Sequence, residues 1–123
     1  MPMIKVKRVH GPPEAEDGWR VLVDRIWPRG LSRDNAAVDE WFKEIAPSNA
    51  LRKWFGHDPQ RWAGFREKYL KELQTTERKG MVQGILERTR SGNVTLLYAA
   101  RDAAHNNAVV LMELVETLMG VGE

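Results

Sequence analysis

"VTLLYAARD", residues 94–102, is the stretch on which the fold turns. Val94 to Ala100 is rich in β-formers and apolar on both faces, the pattern of a strand covered on two sides. It then runs directly into Arg101 and Asp102. Residues 19–23, WRVLV, repeat the arrangement: a strand that becomes fully apolar at its end and stops at Asp24-Arg25. A third strand, IKVKRV at 4–9, alternates apolar and basic residues, as a strand with one solvated face does.

Helices fill the middle. PSNALRKWFG at 47–56 predicts a short helix with Ser48 as N-cap and Gly56 as its stop. Asp58 and Pro59 open the next, in which Trp62, Phe65, Tyr69, Leu70 and Leu73 form one stripe. Residues 76–90 predict a third, with Met81, Val82, Ile85 and Leu86 inward. Gly80 and Gly84 weaken it by about 1 kcal/mol each. Ser91-Gly92-Asn93 turns the chain into the 94–100 strand, RDAAHNN loops out of it, and 107–119 close as a nearly all-apolar helix. HGPPEAEDG at 10–18 reads as polar loop. Residues 36–46, AAVDEWFKEIA, are ambiguous: a short helix or irregular segment over the sheet, with room for a hidden strand. Strands first and last with helices between predict one α/β domain over residues 1–123, a small, mostly parallel sheet covered by helices in two or three layers.

The totals agree with a single globular domain: 123 residues, 42% hydrophobic and 29% charged. A chain of this length buries a real core without staples. It has no cysteine, which excludes disulfides, thiolate nucleophiles and cysteine metal sites. The first residues, MPMIKVKRV, lack the apolar run of a signal peptide, and nothing approaches the roughly 18–20 apolar residues of a membrane span. A cytoplasmic protein with no membrane partner is the expectation. Net charge is +2, unevenly spread: residues 52–90 hold ten Lys or Arg against five Asp or Glu. That stretch is either a solvated helix surface or a face for nucleic acid.

Ligands of open α/β sheets bind outside the carboxyl ends of the strands. If the 19–23 and 94–100 strands are parallel neighbours, Asp24, Arg25 and Arg29 meet Arg101, Asp102, His105, Asn106 and Asn107 at one edge. Arginine forks bind phosphate or carboxylate with paired hydrogen bonds. The closing helix begins near Asn106, and its free N–H groups add positive potential. An anion is therefore the expected ligand, a nucleotide or other phosphate compound, held by Arg25, Arg29, Arg101 and Asn106. Asp24, Asp102 and His105 are the candidates for proton transfer. Trp27, beside Pro28, could stack on a base or sugar. The structural alternative pairs Asp24 and Arg25 with Arg101 and Asp102 as ties between strands. His57 reads as a buttress of the Asp58-Pro59 helix start. Three widely spaced histidines do not make a metal site, and no cofactor is expected.

"RVLVDRIWPRG", "DEWFKEIAPS", "LRKWFGHDPQRW", "VTLLYAARD" and "HNNAVVL" occur here in one order. Together they closely resemble the YeaO-like branch of the domain-of-unknown-function-488 family, over nearly the whole chain. The resemblance implies a small, mostly single-domain bacterial or archaeal protein with an α/β fold and no established activity. A more distant branch of that family carries an Asp-x-Arg pattern after the second strand and a Cys-His-Arg cluster opening the last helix. Asp24-Arg25 and His105-Asn106-Asn107 resemble those positions with the cysteine absent, which removes thiol chemistry. Some relatives carry a transcription-regulator label, but the middle helices show no short turn with a polar recognition face. Three functions stay open: an enzyme or binder for an anionic small molecule, a nucleic-acid-associated module using 52–90, and a ligand-free protein-interaction module with an exposed Trp-rich patch.

Overall fold

A computed structural model describes residues 3–120. Four strands form one sheet in the order β1-β4-β2-β3, every neighbouring pair parallel. They are β1 (Ile4–Arg8), β2 (Trp19–Leu22), β3 (Glu40–Trp41) and β4 (Val94–Tyr98). The helices are α1 (Arg33–Ala36), α2 (Asn49–Phe55), α3 (Trp62–Glu72), α4 (Thr76–Thr89) and α5 (Asn107–Leu118). As its double-faced apolar pattern requires, β4 lies inside the sheet, and all five of its residues are buried. Val94 pairs with Ile4 on one side and Trp19 on the other.

Alternation along the strands divides the sheet into two unlike faces. Ile4, Val21, Val23, Val94, Leu96 and Tyr98 point to the helices, where Phe65, Tyr69, Leu73, Val82, Ile85, Val110, Leu111 and Val115 complete the main core. The other face carries no long helix. At its carboxyl end Val9, Leu22 and Leu97 pack against Ala36, with Trp27, Leu31, Val38 and Trp41 around them. At its amino end stand Lys5, Lys7, Arg20 and Thr95, gathered about Asp17.

The caps fall where the sequence puts them. Ser48 accepts a hydrogen bond from Leu51 N–H, and Gly56 ends α2 in the left-handed region. Asp58 caps a 3-10 turn at Pro59–Arg61 that leads into α3. The ambiguous 36–46 segment contains the hidden strand. β3 is only two residues long, pairing Glu40 with Val21 and Trp41 with Leu22, and a 3-10 turn at Lys43–Ile45 follows it.

The expectation of a solvated face on the first strand needs correction. Lys5 and Lys7 alternate with Ile4 and Val6, but their ammonium groups reach a fully buried carboxylate, Asp17, at 3.0 and 2.9 Å. Arg20, also buried, pairs with the same carboxylate and donates to the carbonyls of Ala37 and Ala36. The backbone N–H of Glu14 adds a fourth donor at 3.0 Å. Burial alone would raise the pKa of Asp17, but bonds from Lys7, Glu14 N–H, Lys5 and Arg20 outweigh it and hold the carboxyl well below the usual range. Next to it, Gly18 lies against the Asn93 turn. The Asn93 carbonyl accepts from Trp19 N–H, its side-chain oxygen from Met3 N–H, and its amide donates to the Glu16 carbonyl. This corner locks the amino ends of β1, β2 and β4 together.

Candidate functional site

The carboxyl ends of β2 and β4 open into a cavity of about 440 Å³. Asp24, Arg25, Trp27 and Arg29 line it from the segment after β2, Ala99 and Ala100 from the end of β4, and His105, Asn106 and Asn107 from the start of α5. The parallel pairing of β2 with β4 brings these segments together.

Asp24 stands at the junction. One oxygen of its carboxylate accepts from Ala99 N–H at 2.9 Å, and its carbonyl accepts from the Trp41 indole at 2.7 Å. Asn107, across from it, donates to the Val23 carbonyl at 2.9 Å. Burial raises the pKa of Asp24, opposed by the Ala99 N–H, the Asn107 amide and the charge of Arg52. Arg25 turns away from Asp24 toward Glu44 at 3.5 Å and the Ala46 carbonyl at 3.5 Å, and its buried Nε has no partner. Arg29 is exposed and, among the described residues, makes no hydrogen bond or ion pair.

His105 is oriented from behind. Its Nδ1 lies 2.8 Å from a carboxylate oxygen of Asp102, and the Trp62 ring meets it edge-on with centroids 5.2 Å apart. The other Asp102 oxygen accepts from Ala104 and His105 N–H, a turn that fixes the dyad. The bond from His105 lowers the pKa of Asp102. With Nδ1 held in this way, Nε2 is the ring nitrogen left for a ligand. Asn106 is buried and accepts from Val109 N–H, capping α5, while its amide donates to the Asp102 carbonyl.

Most of the expected residues therefore converge, with two differences. Arg101 is exposed and lies outside the lining, because Ala99 and Ala100 occupy the end of β4 and the chain turns outward after them. Asp102 stands behind His105 and does not line the cavity. Neither expected strand tie forms: Asp24 and Arg25 do not pair with Arg101 and Asp102 among the described residues. Two polar lining residues were missed, Arg52 and His57. Arg52 lies on α2, whose apolar Leu51 and Phe55 spacing fixes which side faces the sheet. His57 has a positive φ of 58°, at the sharp exit from α2, and no sequence pattern announces that conformation.

Trp27 takes two roles. It lines the cavity, and it also packs edge-on against Trp41 at 5.4 Å while its indole donates to the Leu31 carbonyl at 2.7 Å. Part of the basic 52–90 stretch is engaged within the fold. Arg66 pairs with Glu113 at 3.0 Å, Arg90 with Glu87 at 2.9 Å, and Arg61 and Lys68 both lie over the Trp54 ring. Among the described residues, no group of three His, Asp or Glu is placed to hold a metal ion, and no helix is long and apolar enough to cross a membrane.

The chain is 44% identical over 115 residues to the uncharacterised protein YeaO of Escherichia coli (strain K12), covering 94% of this chain and 98% of that one. It is 38% identical over 112 residues to uncharacterised proteins of Mycobacterium tuberculosis (strain ATCC 25618 / H37Rv) and Mycobacterium bovis (strain ATCC BAA-935 / AF2122/97), covering 91% of this chain and 92% of each of those. No solved structure matches it. The family model described as the inactive DUF488-N3 subclade matches residues 3–121, so the chain belongs to the domain-of-unknown-function-488 family, in its YeaO-like branch.

Proposed function

We propose that this protein binds a small anionic molecule, a nucleotide or another phosphate or carboxylate compound, in the strand-end cavity. The observation that carries this reading is the convergence of Arg25, Arg29 and Arg52 on one cavity at the amino end of α5. Arg29 is exposed and uncommitted among the described residues. Guanidinium groups and helix N–H groups favour negative charge together. Trp27, Phe55 and Phe65 supply an apolar wall against which a ring packs. His105, oriented by Asp102, adds a further polar contact through Nε2.

Binding is favoured over turnover. The word inactive in the subclade's description fits a cavity whose chain has no cysteine to act as a nucleophile.

The test is thermal unfolding with ribose 5-phosphate, guanosine 5′-monophosphate and phenylalanine, on the wild type and on Arg29→Ala. A ligand at a hundredfold excess over its Kd stabilises by about 2.7 kcal/mol, several degrees in Tm. At least one probe is expected to raise the wild-type Tm, with most of the rise lost in Arg29→Ala. Without ligand the variant's Tm should match the wild type, since Arg29 is exposed. The reading fails if no probe shifts the wild type, or if the variant responds equally.

A further inference from the structure

Two inward-facing carboxylates, the buried Asp17 and the half-buried Asp24, are treated in opposite ways. Asp17 is surrounded by Lys5, Lys7 and Arg20. Asp24 has no cation within ion-pair distance among the described residues. Its neighbour Arg25 is directed to Glu44 and Ala46, and Arg52 acts on it only through space. Its partners are neutral: the Ala99 N–H and the Asn107 amide. An Asn side chain would still accept from Ala99 N–H, so that bond alone does not require a carboxylate there. Yet the group faces a cavity whose other polar residues are mostly cationic or donors.

We propose that Asp24 is a specificity-determining residue, and that the ligand of this cavity carries an N–H donor group, an ammonium or a paired N–H edge, besides its anionic group. This deepens the anion-binding reading above and rests on it. The arginines and the amino end of α5 take the negative part of the ligand. Asp24 repels that part and accepts from the other. An ionised carboxylate offers about four lone-pair sites, and an ammonium or a two-donor N–H edge brings two or more donors to them from one group. Burial already disfavours the ionised form of Asp24, and an arriving donor relieves that cost.

The experiment is calorimetric titration of the wild type and Asp24→Asn with three probes. Ribose 5-phosphate is an anion without N–H groups, guanosine 5′-monophosphate adds a two-donor edge, and phenylalanine joins an ammonium to a carboxylate. One of the last two is expected to bind the wild type at least about tenfold tighter than ribose 5-phosphate. Which one does so distinguishes a base edge from an ammonium. Asp24→Asn keeps an acceptor for Ala99 N–H but turns an amide donor toward the ligand, so that margin should disappear. Its Tm should not fall at pH 7, because a carboxyl with a raised folded pKa stabilises the native state only at lower pH. If ribose 5-phosphate binds as tightly as both others, or the variant keeps the margin, the inference fails and anion binding stands. If no probe binds the wild type, both fail.

Discussion

Replacing Asp17 by Asn is expected to lower folding stability by about 3–5 kcal/mol, the range seen when one partner of a buried ion pair is removed. The size follows from what stays behind. Arg20 is almost fully buried and cannot reach water when its counter-charge disappears. Lys7 keeps Glu14 at 2.9 Å, and Lys5, more than a third exposed, turns outward, so these two contribute little to the loss. Urea unfolding of wild type and variant at pH 7 measures the difference. A loss below about 1 kcal/mol would mean that the cations relax into solvent and the cluster is not a structural centre. The same carboxylate sets an acid limit. Its folded pKa is depressed, so its contribution is fully present above the ordinary carboxylate value of about 3.9 and is lost as pH falls below it. Asp17→Asn should therefore show a flatter loss of stability below about pH 4 than the wild type.

Gly18→Ala should be comparably damaging. Gly18 has φ +66° and ψ −131°, a conformation open to glycine and strained for any other residue. A Cβ there would stand 2.2 Å from the Asn93 carbonyl oxygen and 2.8 Å from its carbon. Both are backbone atoms that cannot swing aside, and that oxygen accepts from Trp19 N–H at 2.9 Å. Strained backbone costs about 1–3 kcal/mol and overpacking typically about 1–3 more. The expected total of about 2–6 kcal/mol is a large part of a domain's stability of about 5–15 kcal/mol. The checks are the urea midpoint and amide exchange of β1, β2 and β4. A variant with wild-type midpoint would show that the Asn93 turn moves freely and does not lock the sheet.

Both sites lie at the amino ends of the strands, and their legibility in the sequence was poor for a shared reason. VTLLY announces an interior strand because each residue votes the same way, and Ser48, Gly56, Asp58 and Pro59 mark helix ends through bonds made within a few residues. The Asp17 cluster has no such local signature. Its members come from β1, a loop and β2, and Lys5 and Lys7 look identical whether they face water or a buried carboxylate. β3 is only hinted at: the sequence leaves room for a strand in 36–46, but that it is Glu40 and Trp41 follows from the edge that β2 offers them. At the other end, Asp24, Arg25, Arg29 and His105 were visible because apolar runs stop abruptly at charge. Arg101 followed the same rule and turned outward, since the direction of a side chain just past a strand depends on where the next loop goes. Arg52 and His57 were missed because it is tertiary packing that brings α2 and its exit to the cavity.

The edge-on contact between Trp62 and His105 gives the cavity an optical label of its own. Indole emission responds to a nearby imidazole and to the exchange of water for ligand, and this indole touches the ring of a residue that lines the cavity. Of the five tryptophans, Trp62 is the one in ring contact with that histidine. Ligand arrival can therefore be followed in unlabelled protein by its own fluorescence, and a Trp62→Phe variant separates that signal from the emission of the other four.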